Sequence, residues 1–214
     1  MILSHGRQYI FIHIPKTGGT SMALALEARA MKDDLMLGDT PKAKRRRSRV
    51  SDSQAAGRLW KHSTLADIDG LATPAQITEY FTFTLVRNPW DRVVSYYHWL
   101  RDQNFDHPAV RLAKSHDFSG FINHPHTQIS LKSAPYAFYM TDLRGREQCN
   151  CYIRLEHFEK DAQPLWDHLG FKLELGHVNR SNRVGYHRYY TDADAALVHD
   201  ICADDIARFG YSYD

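Results

Sequence analysis

The chain is short of cysteine, of long apolar runs and of net charge, and each shortage closes off a class of function. Three cysteines in 214 residues (Cys149, Cys151, Cys202) are an odd number and too few for a disulfide framework, which suits a reducing compartment. Cys149-x-Cys151 lacks C-x-x-C spacing and has no second pair, so it reads as two incidental thiols. No H-x-x-x-H pattern stands elsewhere, and no metal is expected. No run approaches the ~20 apolar residues of a membrane span. The start is polar at Ser4, His5 and Arg7, so neither signal peptide nor anchor is expected. With a formal charge of +2, any taste for polyanions must come from a local patch. The one basic run, 42–49, has no second stripe and no recognition module beside it, so nucleic acid is not an expected partner. What is present, 43% hydrophobic and 24% charged residues without an internal repeat, describes one globular domain over 1–214.

The richest stretch is Tyr9-Ile10-Phe11-Ile12-His13-Ile14-Pro15-Lys16-Thr17-Gly18-Gly19-Thr20-Ser21. An apolar strand meets a glycine turn, and a helical pattern follows at once. Gly18 and Gly19 allow a tight turn and close approach of the backbone to a ligand. The free N–H groups of the helix start then face an anion, favoured by the helix dipole. Lys16 adds a full charge, and Thr17, Thr20 and Ser21 add hydroxyls. An ordinary strand-to-helix turn with a solvated lysine is the plainer alternative, but it does not account for so many anion-binding groups within six positions. A Walker A loop places its lysine after the last glycine; here Lys16 precedes both, which disfavours an ATPase or kinase of the usual type.

Strands and helices alternate along the rest. Strands are expected at 9–14, 80–86 and 151–155, and helices at 20–31, from Thr73-Pro74, from Asn88-Pro89, at 118–123, at 158–169 and at 191–209. Thr73 and Asn88 serve as N-caps with proline at the first helical position. Residues 32–58, which contain the basic run, show no apolar period and read as a mobile loop. The sum is an α/β fold with a mainly parallel central sheet flanked by helices.

A second anion site is read at the end of the 80–86 strand. Arg87 stands just outside a helix start, and Ser95 lies two turns on, about 10 Å along the axis. A guanidinium fork and a hydroxyl could hold a phosphate between them; the alternative is that Arg87 caps a carbonyl and Ser95 packs. Ligands of open α/β sheets bind beyond the carboxyl ends of strands. Lys16 and Arg87 both sit at such ends, which suggests one ligand with two separate phosphates.

Pro15-Lys16-Thr17-Gly18-Gly19-Thr20-Ser21 resembles the 5′-phosphosulfate loop of sulfotransferases, and Arg87-Asn88-Pro89-Trp90-Asp91-Arg92-Val93-Val94-Ser95-Tyr96-Tyr97 resembles their 3′-phosphate motif. The branch most resembled is that of carbohydrate sulfotransferases of the heparan sulfate 2-O-sulfotransferase type and their short bacterial relatives. The likeness extends through Trp60–Ile68, Ile153–Glu156 and Asp205–Tyr211. It implies a P-loop-like nucleotide-binding fold and transfer of a sulfuryl group from 3′-phosphoadenosine 5′-phosphosulfate (PAPS) to an acceptor hydroxyl, with carbohydrate as the family-level acceptor. Lys16, Thr17, Gly18, Gly19, Thr20 and Ser21 would hold the 5′-phosphate, Arg87 and Ser95 the 3′-phosphate. Lys16 would also stabilise the leaving group. His62, one of 13 histidines, matches the position of that branch's catalytic histidine in Lys61-His62-Ser63-Thr64-Leu65. His13 is expected to pack, and Glu156 stays open as an alternative base. Arg180, Arg183 and Arg188 fall where the family has a basic loop near the nucleotide, and the resemblance implies that Arg183 is a contact. The short chain, without anchor or paired cysteines, implies a cytoplasmic protein. A phosphoryl-transfer enzyme and a non-catalytic nucleotide- or glycan-binding module are the competing readings.

Overall fold

The apolar runs become the strands of one sheet in the computed structural model, which describes residues 1–51, 53–176 and 185–214. The strands are β1 (Ile2–Ser4), β2 (Tyr9–Ile12), β3 (Leu35–Met36), β4 (Phe81–Val86) and β5 (Cys151–Arg154). The helices are α1 (Gly19–Ala28), α2 (Pro41–Arg46), α3 (Pro74–Glu79), α4 (Pro89–Arg101), α5 (Pro108–Ser115), α6 (Phe118–Asn123), α7 (Pro125–Lys132), α8 (Tyr136–Tyr139), α9 (Phe158–Asp161), α10 (Gln163–Leu169), α11 (Asp192–Ile201) and α12 (Ala203–Phe209). The chain divides into two compact units. Met1–Val86 with Tyr136–Val178 carries the sheet, and Arg87–Pro135 with Asn179–Asp214 is helical.

In the sheet unit the strand order is β3-β1-β2-β4-β5. β2 lies parallel to β4, with Ile10 opposite Thr82, and β4 parallel to β5, with Leu85 opposite Ile153. β1 is antiparallel to both β2 and β3. The parallel pairing expected from the sequence thus runs from the middle strand β2 to the β5 edge, and β1 makes the whole sheet mixed. The reason is chain length. Only residues 5–8 join β1 to β2, enough for a reversal but too few for the crossover that parallel neighbours need. β4 is buried along nearly its whole length, as a strand covered on both faces should be. Tyr9, Phe11, Phe83, Leu85 and Ile153 share a core with Met22 and Leu26 of α1. Phe11 and Phe83 stack with ring centroids 5.3 Å apart. The Thr84 hydroxyl, buried between strands, donates to Ile12 O at 2.7 Å.

Residues 32–58 differ from the loop reading. β3 and α2 lie within them, followed by a 3-10 turn over Arg47–Val50. Thr40 caps α2 by accepting from Ala43 N at 3.2 Å, with Pro41 at the first position. The basic run hides this helix because only Ala43 and Val50 are buried. Several of its cations are spent on carbonyls: Arg46 donates to Met31 O at 2.8 Å, Lys42 to Glu27 O and Arg49 to Lys32 O. These acceptors lie at or just past the C-terminus of α1, where positive charge is favoured. The helix expected over 158–169 is interrupted at Ala162, two residues before Pro164, and ends at Gly170 in the left-handed region. The last helix breaks at Cys202 into α11 and α12.

In the helical unit, α4 buries Trp90, Val93, Val94, Tyr97 and Leu100 against Phe118, Phe121 and Val198. Asn88 caps α4 by accepting from Trp90 N, and its amide donates to Ser212 O at 2.9 Å. α5 and α7, not anticipated from the sequence, each begin at a His-Pro pair. His107 Nδ1 accepts from Ala109 N, and His124 Nδ1 accepts from His126 N, both at 3.2 Å. Among the described residues the three cysteines are free thiols, and no helix is long and apolar enough to cross a membrane.

Candidate active site

The loop after β2 is built for close approach. Lys16 adopts a φ of +68°, in a region a side-chain-bearing residue seldom occupies, and Gly18 follows at +87°. Such backbone strain gathers at functional sites. A side chain on Gly18 would also meet Leu155, whose Cδ1 lies 2.8 Å from where a Cβ would stand. Between the two left-handed residues, Thr17 is fully buried and its hydroxyl donates to Ile14 O at 2.9 Å. Its hydroxyl thus ties down the turn, and the backbone N–H is what Thr17 has left to offer a ligand. Gly18 is the N-cap of α1; no side chain caps that helix and no acidic residue occupies its first turn. A helix start of this kind, with Thr20 partly exposed and Ser21 buried in the first turn, is chemically suited to an anion.

Near this loop, in the same unit, lies His62. Its Nδ1 is 2.7 Å from His13 O. A carbonyl only accepts, so Nδ1 carries the hydrogen and Nε2 keeps its lone pair. That is the tautomer a general base needs. The His62 ring meets His13 edge-on at 4.6 Å and Trp60 at 4.9 Å. Burial pushes the His62 pKa down from 6.5 to about 4, although the bond to His13 O pulls the other way. His13 is driven well below its ordinary value, by burial first and by His62 next. Both imidazoles are therefore neutral at neutral pH. The segment is held by a hydroxyl turn: Ser63 Oγ accepts from Trp60 N and donates to Arg58 O, each at 2.9 Å. Lys61 pairs with Asp39 at 2.5 Å. Glu156, the alternative base, is exposed on the 3-10 turn Leu155–His157 that follows β5.

In the helical unit, Arg87 precedes α4 and is mostly buried. Its Nε donates to Asp91 Oδ2 at 2.8 Å, one helical turn on, and its Nη2 bonds the same oxygen. Ser95 is a partly exposed position further along α4. Arg180 and Arg183 lie outside the described residues; Arg188 is exposed on the 3-10 turn Tyr186–Tyr189. Sequence reasoning undervalued His13, whose partner is 49 positions away. No local pattern signals that pairing. Among the described residues, no group of three or more His, Cys, Asp or Glu side chains is arranged to hold a metal ion.

The fold is thus an α/β sheet whose strand-to-helix turn opens on an uncapped helix, with a neutral histidine nearby. The chain matches the sequence model of the Sulfotransferase family over residues 1–212 and belongs to that family. No curated protein matches it. Among solved structures it is similar to mouse sulfotransferase SULT7A1 complexed with PAP, with a TM-score of 0.53 and 13% identity over 92% of this chain and 83% of that one. That likeness bears out the α/β fold.

Proposed function

We propose that the protein transfers a sulfuryl group from PAPS to an acceptor hydroxyl, with carbohydrate as the acceptor class, and that His62 is the base. The observation that carries this reading is the His62 Nδ1 contact to His13 O, which leaves Nε2 free to take a proton in the unit that carries the Lys16 loop. Family membership supports sulfuryl transfer, and the similar mouse enzyme was solved with PAP, the desulfated donor.

In this reading the acceptor O–H proton passes to His62 Nε2 as the acceptor oxygen bonds to sulfur. The bond from sulfur to the bridging 5′-phosphate oxygen breaks, and PAP leaves with that electron pair. Lys16, the Thr20 and Ser21 hydroxyls, and the backbone N–H groups from Thr17 through Gly18 and Gly19 to Thr20 stabilise the charge building on the leaving phosphate. Arg87 and Ser95 serve the 3′-phosphate, for which Arg87 must exchange its bond to Asp91. His62 needs no proton removed before it acts, because burial already keeps it neutral. The cytoplasm is the compartment proposed, on the grounds of free thiols.

Calorimetry of PAP binding without metal, against ATP with Mg²⁺, tests the donor site on wild type and Arg87→Ala. Loss of a charge-assisted bond should weaken PAP about ten- to a hundredfold. Preference for ATP with Mg²⁺ would return the chain to the phosphoryl-transfer reading. Binding of PAP with no transfer to any acceptor in a broad panel would make it a non-catalytic module.

A further inference from the structure

The sheet unit holds a second imidazole that the proposed chemistry does not use. His13 follows β2 by one residue and is 8% exposed. Its ring is parallel to Phe11 at 6.1 Å and meets His62 edge-on at 4.6 Å. It also covers Gly19, the first residue of α1. A Cβ built on Gly19 would stand 2.0 Å from His13 Cδ2 and 2.4 Å from Nε2, so the imidazole occupies the space a side chain there would need. Meanwhile the His13 carbonyl takes the His62 Nδ1 hydrogen bond. One residue thus touches the candidate base twice and the helix start once.

We infer that His13 is a positioning residue: its imidazole is the spacer that sets the distance and tilt of the His62 ring relative to the open start of α1. This inference rests on the reading of His62 as base. His13 exchanges no proton; the acceptor proton goes to His62 Nε2. Two features favour a histidine in the slot. Its flat ring lies over a glycine whose position admits no side chain, and it stays neutral beside a second neutral ring. The charged and titratable groups acting on the pair are Lys16 on His13, Asp39 on His62, and Lys61 and the Met1 amine on both. Burial lowers the Met1 amine to about 5, so at neutral pH the cations are Lys16 and Lys61 against one carboxylate, and a proton on either imidazole is opposed by charge as well as by burial. A smaller residue at position 13 would admit water and let the His62 ring turn.

The test uses the full chain as wild type, His13→Ala, His13→Phe, Gly19→Ala and the double variant that combines His13→Ala with Gly19→Ala. Ring ¹⁵N–¹H spectra report the His62 tautomer and its titration without any need for turnover. In wild type the Nδ1–H form should persist down to about pH 4. In His13→Ala the midpoint should climb towards 6.5, the ordinary value, as water reaches the ring. His13→Phe, which refills the slot with a ring, should keep it low and also covers the case in which His13→Ala fails to fold. In transfer assays His13→Ala should lower kcat about ten- to a hundredfold, the scale of a misplaced reacting group, with KM for PAPS changing less than about threefold. Gly19→Ala should be costly alone and nearly free in the His13→Ala background, because its clash partner is gone. An unchanged His62 tautomer and midpoint in His13→Ala, or an equal cost of Gly19→Ala in both backgrounds, overturns the inference. Absence of transfer by wild type sinks the catalytic reading instead, and the spectra still decide the placement of His62.

Discussion

The two anion motifs handle the start of a helix in opposite ways. In the sheet unit, α1 begins at Gly18 with no side-chain cap and no acidic residue in its first turn. In the reading proposed above, its start faces the donor's 5′-phosphate. In the helical unit, α4 begins at Asn88, whose side chain caps Trp90 N, and Asp91 lies in the first turn. There the dipole is already answered by side chains, and the proposed 3′-phosphate contact falls instead to Arg87, now paired with Asp91. The lesson is that two junctions of similar outline, each a strand followed by a helix, treat the helix start differently. One leaves it to a strained backbone turn; the other answers it with side chains, beside a guanidinium paired with a carboxylate.

Breaking each side of this comparison has a different expected size. Lys16→Ala removes the lysine charge from the loop after β2 and should cut the single-turnover rate of sulfuryl transfer by about a hundredfold or more, the usual scale for losing a charge-stabilising group. A drop of less than about threefold would show that the helix start alone carries the leaving group.

Acid should separate the units next. The folded His62 value of about 4 lies below its ordinary 6.5, so burial disfavours the charged form. Above 6.5 neither folded nor unfolded chain takes up the proton, and the full stability is present. Between 6.5 and about 4 the unfolded chain binds a proton that the folded one refuses, and stability falls as pH falls, by up to about 3 kcal/mol. His13 shifts in the same direction and adds to the loss. Urea denaturation between pH 7 and 4 measures it, and a His62→Phe variant should flatten part of the slope.

Gly18→Ala forces a side chain into a φ of +87° and against Leu155. It should cost about 1–3 kcal/mol in the same denaturation assay and weaken PAP binding, since the loop must deform. Equal stability of the variant would mean that the left-handed turn is dispensable. The smallest effect is expected from Asp91→Asn, which removes the carboxylate that competes for Arg87. PAP affinity should rise about two- to fivefold by calorimetry, the scale of a partly exposed ion pair. A fall would show instead that Asp91 is needed to aim the guanidinium.

Much of the fold is visible in the chain before any coordinates. β2 and β4 are short apolar runs rich in aromatic and β-branched residues, and the caps Thr73, Asn88 and Thr191 stand where the helices begin. The exceptions have separate causes. β1 and β3 span three and two residues, too few to show alternation. α2 carries so many cations that its single buried face, at Ala43, leaves no period to detect. α5 and α7 open on histidine caps, which lie outside the usual Ser, Thr, Asp and Asn signals.

The site divides in the same manner. Lys16, Gly18, Gly19, Arg87 and Ser95 are local patterns, written close to one strand-to-helix junction each, so sequence by itself proposes them, and it determined the α/β class. Short-range stereochemistry suffices there, because a left-handed turn needs glycine and a helix start needs a cap or an anion. What only the tertiary structure decided is which nitrogen of His62 holds the hydrogen, why that ring stays neutral, and that His13 lies against both His62 and Gly19. Those properties come from burial and from a contact spanning 49 positions, and neither burial nor long-range contact is encoded in any local stretch of chain.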